Sequence, residues 1–205
     1  MNLRNLLHNP VVWELSRIGL NWTFGVYRHR FARMQQWRVL EPNPTVLDIG
    51  CGIGQYAQIT NGTYLGVDLN ERYIAYASKR HRKPHQSFRC QDVAEVLHEQ
   101  SRFDMVLMVD FLHHIPDEQC LKLLVVAGQL TRRYVVSFEP ITFQPHPVGR
   151  WMVEHDRGKH VRPLDSLHAL FRKSGLHIAD SVALRLGPIN TRAILACAPG
   201  ESAAS

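Results

Sequence analysis

Val46-Leu47-Asp48-Ile49-Gly50-Cys51-Gly52-Ile53-Gly54-Gln55-Tyr56 decides the reading of this chain. An apolar run ends at an acidic residue, and three glycines follow at alternate positions. A run of this kind makes a short strand, and glycines without a Cβ let a ligand press against the backbone. A helix expected over 54–60 would then aim its unpaired N–H groups at that ligand. Twenty residues after Asp48, Gly66-Val67-Asp68-Leu69 is a second short apolar run closed by a carboxylate. A carboxylate at such a strand end is placed to accept both hydroxyls of a ribose. The two stretches together describe a site for a nucleoside cofactor.

Two classes of cofactor share this logic. Gly52-Ile53-Gly54-Gln55-Tyr56-Ala57 formally satisfies the dinucleotide fingerprint G-x-G-x-x-G/A. A dinucleotide, however, brings a doubly negative pyrophosphate to the glycine turn, and Asp48 would set like charge beside it. A cofactor with an ammonium and a sulfonium would welcome that carboxylate. The pattern Asp48-x-Gly50-x-Gly52-x-Gly54 resembles motif I of the class I S-adenosylmethionine (SAM) methyltransferases. The resemblance continues at Asp68, at Gln91-Asp92-Val93, and at Phe103-Asp104-Met105-Val106-Leu107 with Asp110-Phe111-Leu112-His113-His114 after it. It covers roughly residues 44–140 by motif and reaches 197 by element order.

The resemblance implies a cofactor set and a division of labour within it. Gly50, Cys51, Gly52, Gly54 and Tyr56 would surround the methionine part, and Asp48 would orient its ammonium. Asp68 would hold the ribose, Leu69 would lie on the adenine face, and Asp92 and Val93 would meet the adenine edge. Asp92 equally suits the N-cap of the next helix. Asp110, His113 and His114 follow the fourth strand, beside the expected methyl group, and form the catalytic expectation. Their D-x-x-x-H arrangement resembles that of phosphoethanolamine methyltransferases, in which the final histidine takes part in base chemistry; His114 is the matching position. A neutral imidazole suits a general base near physiological pH. The L-H-H-hydrophobic-P pattern also occurs widely among small-molecule methyltransferases, where the second histidine anchors the loop instead. Spacing of i, i+3 and i+4 at Asp110, His113 and His114 can converge on a metal. The Asp-Asn pair of catechol-type enzymes is replaced here by Glu139-Pro140, and no metal is expected.

Length and composition fit one enzyme domain. The 205 residues are 45% hydrophobic and carry a net charge of +6, enough chain to bury a full core. Four scattered cysteines without a C-x-x-C pair suggest buried thiols in a reducing cytosol, hence a cytoplasmic protein. No apolar run is long enough to span a bilayer. Nucleic acid is disfavoured as a substrate, because Asn/Asp-Pro-Pro-Tyr and a Pro-Cys nucleophile are both absent. The basic cluster Arg28-His29-Arg30, interleaved with Trp22, Tyr27 and Phe31, reads as an amphipathic helix packed on the core.

The chain divides into a helical cap over 1–40 with a break around Gly19 to Thr23, and a cofactor-binding core over 41–138. A lid insertion over 139–162 and a helix plus hairpin over 163–198 complete it, with a disordered tail after Pro199. Strands are expected at 45–49, 63–67, 86–90, 103–109, 133–138, 176–184 and 190–197, and helices at 71–82, 93–99, 117–130 and 163–174. Alternation of this kind implies an α/β, doubly wound, seven-stranded and mostly parallel sheet, with a short-turned antiparallel hairpin at its end. The lid and cap would bring Tyr27, His146, His155 and Arg157 to a small acceptor, and the basic residues there would suit an anionic one. Its methylated atom would be oxygen, nitrogen or sulfur, and the demethylated product S-adenosylhomocysteine (SAH). A SAM-binding domain without catalysis is the non-enzymatic alternative; an RNA methyltransferase and an NAD-binding oxidoreductase rank below it. Oligomeric state is not legible.

Overall fold

A computed structural model describes residues 10–99, 101–156 and 158–198. Arg157, the first nine residues and the tail after Pro199 lie outside the described residues. Two helices lead, α1 (Pro10–Phe24) and α2 (Val26–Gln36), followed by β1 (Val46–Ile49), β2 (Tyr64–Asp68) and α3 (Glu71–Arg80). Next come β3 (Gln86–Cys90), α4 (Val93–His98), β4 (Phe103–Val109), a 3-10 turn over Leu112–His114 and α5 (Asp117–Leu130). The chain ends through β5 (Thr131–Pro140), α6 (Pro147–Glu154), α7 (Leu164–Lys173), β6 (His177–Leu186) and β7 (Ile189–Cys197).

The seven strands form one sheet in the order β3-β2-β1-β4-β5-β7-β6. β1 to β5 pair in parallel, while β7 runs antiparallel to both β5 and β6. The expected terminal hairpin is present, turning through Gly187-Pro188, and β1 lies inside the sheet between β2 and β4.

Strands covered on both faces read as continuous apolar runs, and β4 shows why. Val106 and Met108 point to one face, among Leu124 and Leu130 of α5 and Phe171 of α7. Met105, Leu107 and Val109 point to the other, among Met34 of α2, Tyr56 and Ala57. The amino-terminal cap is thus part of a layer, with Tyr27, Phe31 and Trp37 packed on that second face. Trp22 was expected there too, but it is 88% exposed on a face of α1 with Val11, Leu15 and Ile18. The helix break falls at Gly25, in the left-handed region at φ 61°, just beyond the expected position.

The expected helix over 54–60 is a correction. This stretch is a chain of turns, with Gly54 N–H donating to Cys51, Ala57 to Gly54 and Ile59 to Tyr56. Gly52 and Gly54 sit at φ 55° and 77°, a conformation that interrupts a right-handed helix. Residues 139–162 are also more ordered than a charged loop. β5 continues to Pro140, α6 starts at a His146 N-cap whose ring accepts from Val148 N–H, and Ile141 bridges to Arg162. Among the described residues, no helix is long and apolar enough to cross a membrane.

Candidate active site

The end of β1 faces inward. Asp48 occupies the β1 position between Leu47 and Ile49 and is 2% exposed. Tyr64 on the neighbouring strand donates its phenol O–H to Asp48 Oδ2 at 2.5 Å. Burial, with Asp68 nearby and only the phenol opposing, pushes the Asp48 carboxyl up to about 7. Asp68, at the end of β2, accepts from Gly52 N–H at 2.9 Å and Asn70 N–H at 2.8 Å. Burial raises its proton affinity as well, against those backbone donors. Two carboxylates that pay for burial in this way are poised for a cation or for hydroxyl donors.

The glycines differ in what they do. A Cβ on Gly50 would come 2.3 Å from the Phe111 ring, and one on Gly54 would come 2.6 Å from Phe88. A Cβ on Gly52 would meet nothing within 4 Å. Gly52 is therefore the glycine whose backbone lies open to a ligand, while the other two make room for aromatic rings.

Two cavities meet at Gly50, Asp68 and Phe111. The first, about 320 Å³, is lined by Asp48, Cys51, Gly52, Tyr56, Asn70, Tyr73, Asp110 and His114, among others. The second, about 470 Å³, lies between Leu69, Gln91, Asp92, Val93 and Ala94 on one side and Ile115, Gln119 and Leu123 on the other. Both fall in the size range of small-ligand sites. Leu69 stands 74% exposed in the second cavity, and Asp92 caps α4 by accepting from Ala94 N–H.

The β4 end is built differently. Asp110 sits at φ 50°, in the left-handed region, and its two carboxylate oxygens accept from Arg30 at 2.9 and 2.7 Å. Arg30, 3% exposed on α2, also donates to Tyr56 Oη at 2.9 Å. Burial disfavours the Arg30 charge, but Asp110 and Tyr56 outweigh it and raise its proton affinity. Arg30 was read only as part of a basic cluster. Its signal was helical spacing: Tyr27, Arg30, Phe31 and Met34 share one face, and a cation on a buried face calls for an acid.

His114 is exposed and lines the first cavity, with its ring 4.2 Å from that of His113. His113 does not share the cavity. It is 3% exposed, with Nδ1 at 2.7 Å from Glu139 Oε2 and Nε2 at 3.0 Å from Asp156 Oδ2. Asp110 and His113 thus turn to different partners, and among the described residues no group of three His, Cys, Asp or Glu side chains is arranged to hold a metal ion. Tyr27 packs edge-on to Tyr56, with ring centres 5.6 Å apart, behind the cavity wall. His146 caps α6, and His155 stacks on Trp151; neither lines these cavities. Arg162 is buried against Asp117 and the carbonyls of Leu112 and Ile115.

Residues 46–133 match the family model described as a methyltransferase domain. A ubiquinone biosynthesis O-methyltransferase of Coxiella burnetii is 27% identical over 165 residues, covering 70% of this chain and 68% of the relative. The solved magnesium protoporphyrin IX methyltransferase of Synechocystis PCC 6803, with bound SAH, superposes with a TM-score of 0.65. It is 20% identical, and the match covers 85% of this chain and 84% of that one. A SAM-dependent methyltransferase of Methanosarcina mazei gives a TM-score of 0.67 at 18% identity, over 80% of this chain and 96% of that one. Strand order, the acidic-glycine turn at the end of β1 and the family match agree: the chain carries a class I SAM-dependent methyltransferase domain.

Proposed function

We propose that this protein transfers the methyl group of SAM to a nucleophilic heteroatom of a small molecule, with oxygen as the favoured acceptor. The observation that carries this reading is the trench. Buried Asp48 and the open backbone of Gly52 line its first cavity together with Asp110 and His114, and half-buried Asp68 stands where the two cavities meet. The residues fit the cofactor. Asp48 would ionise against an ammonium, and Asp68, held in place by two backbone donors, would accept from ribose hydroxyls. Leu69, Asp92 and Val93 would border the adenine in the second cavity.

SAM supplies a methyl group on a good leaving group, so the chain mainly has to orient and to exclude water. Tyr56 and Asp110 are fixed by the same buried guanidinium, which gives the first cavity a rigid polar wall. His114 is the group on that wall suited to accept a proton from a hydroxyl acceptor as it is methylated. The Coxiella burnetii relative is named as an O-methyltransferase, which supports oxygen. The basic residues of 139–162, such as Arg150 and Lys159, favour an acceptor bearing a carboxylate or phosphate.

Release of SAH, followed by mass spectrometry across a panel of phenols, hydroxy acids, amines and thiols, tests the reading. Turnover confined to a hydroxyl-bearing acid is expected. SAM binding with no turnover across the panel would favour a non-catalytic SAM-binding domain, and turnover on RNA alone would overturn the small-molecule reading.

A further inference from the structure

The loop between β4 and α5 places Phe111 and His114 in the trench, yet few of its bonds are its own. Glu139 accepts from the N–H groups of Phe111, Leu112 and His113 at 2.9, 2.8 and 3.3 Å. Arg162 donates to the carbonyls of Leu112 and Ile115, and His160 N–H donates to the His113 carbonyl at 2.9 Å. Gly158 lies so close that a Cβ there would come 1.9 Å from His113 Cδ2. Glu139, Gly158, His160 and Arg162 thus hold the loop from outside it. At the centre is His113, between carboxylates of Glu139 and Asp156.

A ring nitrogen facing a carboxylate oxygen must donate, so an imidazole with a carboxylate on each nitrogen carries both protons. We propose that His113 is a positioning residue: as an imidazolium it rivets residues 139–162 to the loop after β4 and fixes the cavity faces of Phe111 and His114. Burial works against this charge, but the bonds to Asp156 and Glu139 outweigh it and hold the proton up to about pH 10. The 139–162 segment, expected to be a lid, is in this view a fixed wall. The functional weight of His114 rests on the methyl-transfer reading; the rivet itself does not.

Nitrogen-15 NMR of the full chain at pH 8 tests the proton directly. Both His113 ring nitrogens should show the protonated signature, and a neutral tautomer would overturn the proposal. Asp156→Asn, at the more exposed end of the rivet, should raise amide exchange over residues 111–116 at least tenfold. It should also weaken SAH binding about threefold or more, although Asp156 lines neither cavity. Unchanged exchange and unchanged SAH affinity would overturn the positioning role. Gly158→Ala, which forces the wall off His113, should do the same while Asp156 keeps its charge. These readouts need no acceptor, so failure of the His114 reading would show separately, as full turnover in His114→Ala.

Discussion

Two carboxylates line the same cavity from adjacent strands, and their partners are of opposite kinds. Asp48 is buried with a second acid nearby and only a phenol donor to oppose them, so its proton is held until about pH 7. Asp110 meets a guanidinium with both oxygens and is locked in an ion pair. Burial alone would push both the same way; the partner decides the charge. One wall of the trench can therefore change charge when a cation arrives, and the other is a fixed frame.

The frame should show the largest effect. Arg30→Ala leaves Asp110 in a mostly buried setting without its guanidinium and should cost about 3–5 kcal/mol in urea unfolding, the scale for a broken buried pair. Arg30→Lys, which cannot fork, should recover part of this. A loss within about 0.5 kcal/mol would show the pair to be solvated, as surface pairs are.

His114→Ala, on the same side, should lower turnover with an acceptor found in the panel by about a hundredfold, with SAM affinity barely changed. Equal losses in SAM affinity and thermal stability would make His114 an anchor of its loop. On the adaptable side, Asp68→Ala should weaken SAM binding by about 1.5–3 kcal/mol, as loss of a charged hydrogen-bond partner does.

A further prediction concerns Asp48 and stability. Its carboxyl is raised from 3.8 to about 7 in the fold, so between these values the folded chain holds a proton that the unfolded chain has lost. Its contribution to stability therefore falls as pH rises through that window. Asp48→Asn, which keeps an acceptor for Tyr64 and removes the charge, should be more stable than the parent at pH 8 in thermal melts, while binding SAM less well. A less stable variant would mean that the ionised carboxylate is satisfied in the fold.

The adaptable side was the more legible from sequence, because its signals are local. Asp48, the three glycines and Asp68 lie within one stretch of 21 residues, and strand, turn and strand follow in order. Even there, the pattern predicts a helix over 54–60 where the chain makes turns, since the left-handed glycines that break it are also what marks the motif. The frame was less legible because its partners are remote. Arg30 is 80 residues from Asp110, and Glu139 is 26 from His113. Asp156 reaches His113 across the length of α5 and β5. Helical phase hinted at Arg30; nothing local pointed to the Glu139–His113–Asp156 triad.

We propose that the trench receives a cationic nucleoside, with Asp48 changing charge as it binds. Calorimetric titration of SAM, SAH and NAD at several pH values and in two buffers of different ionisation enthalpy tests it most directly. SAM and SAH should bind and NAD should not. Binding near pH 6 should release a proton from the protein, and affinity should fall as pH drops below about 7, where Asp48 is protonated. SAM affinity that stays flat from pH 5.5 to 8.5 with no proton released, or binding of NAD in place of SAM, would contradict the account.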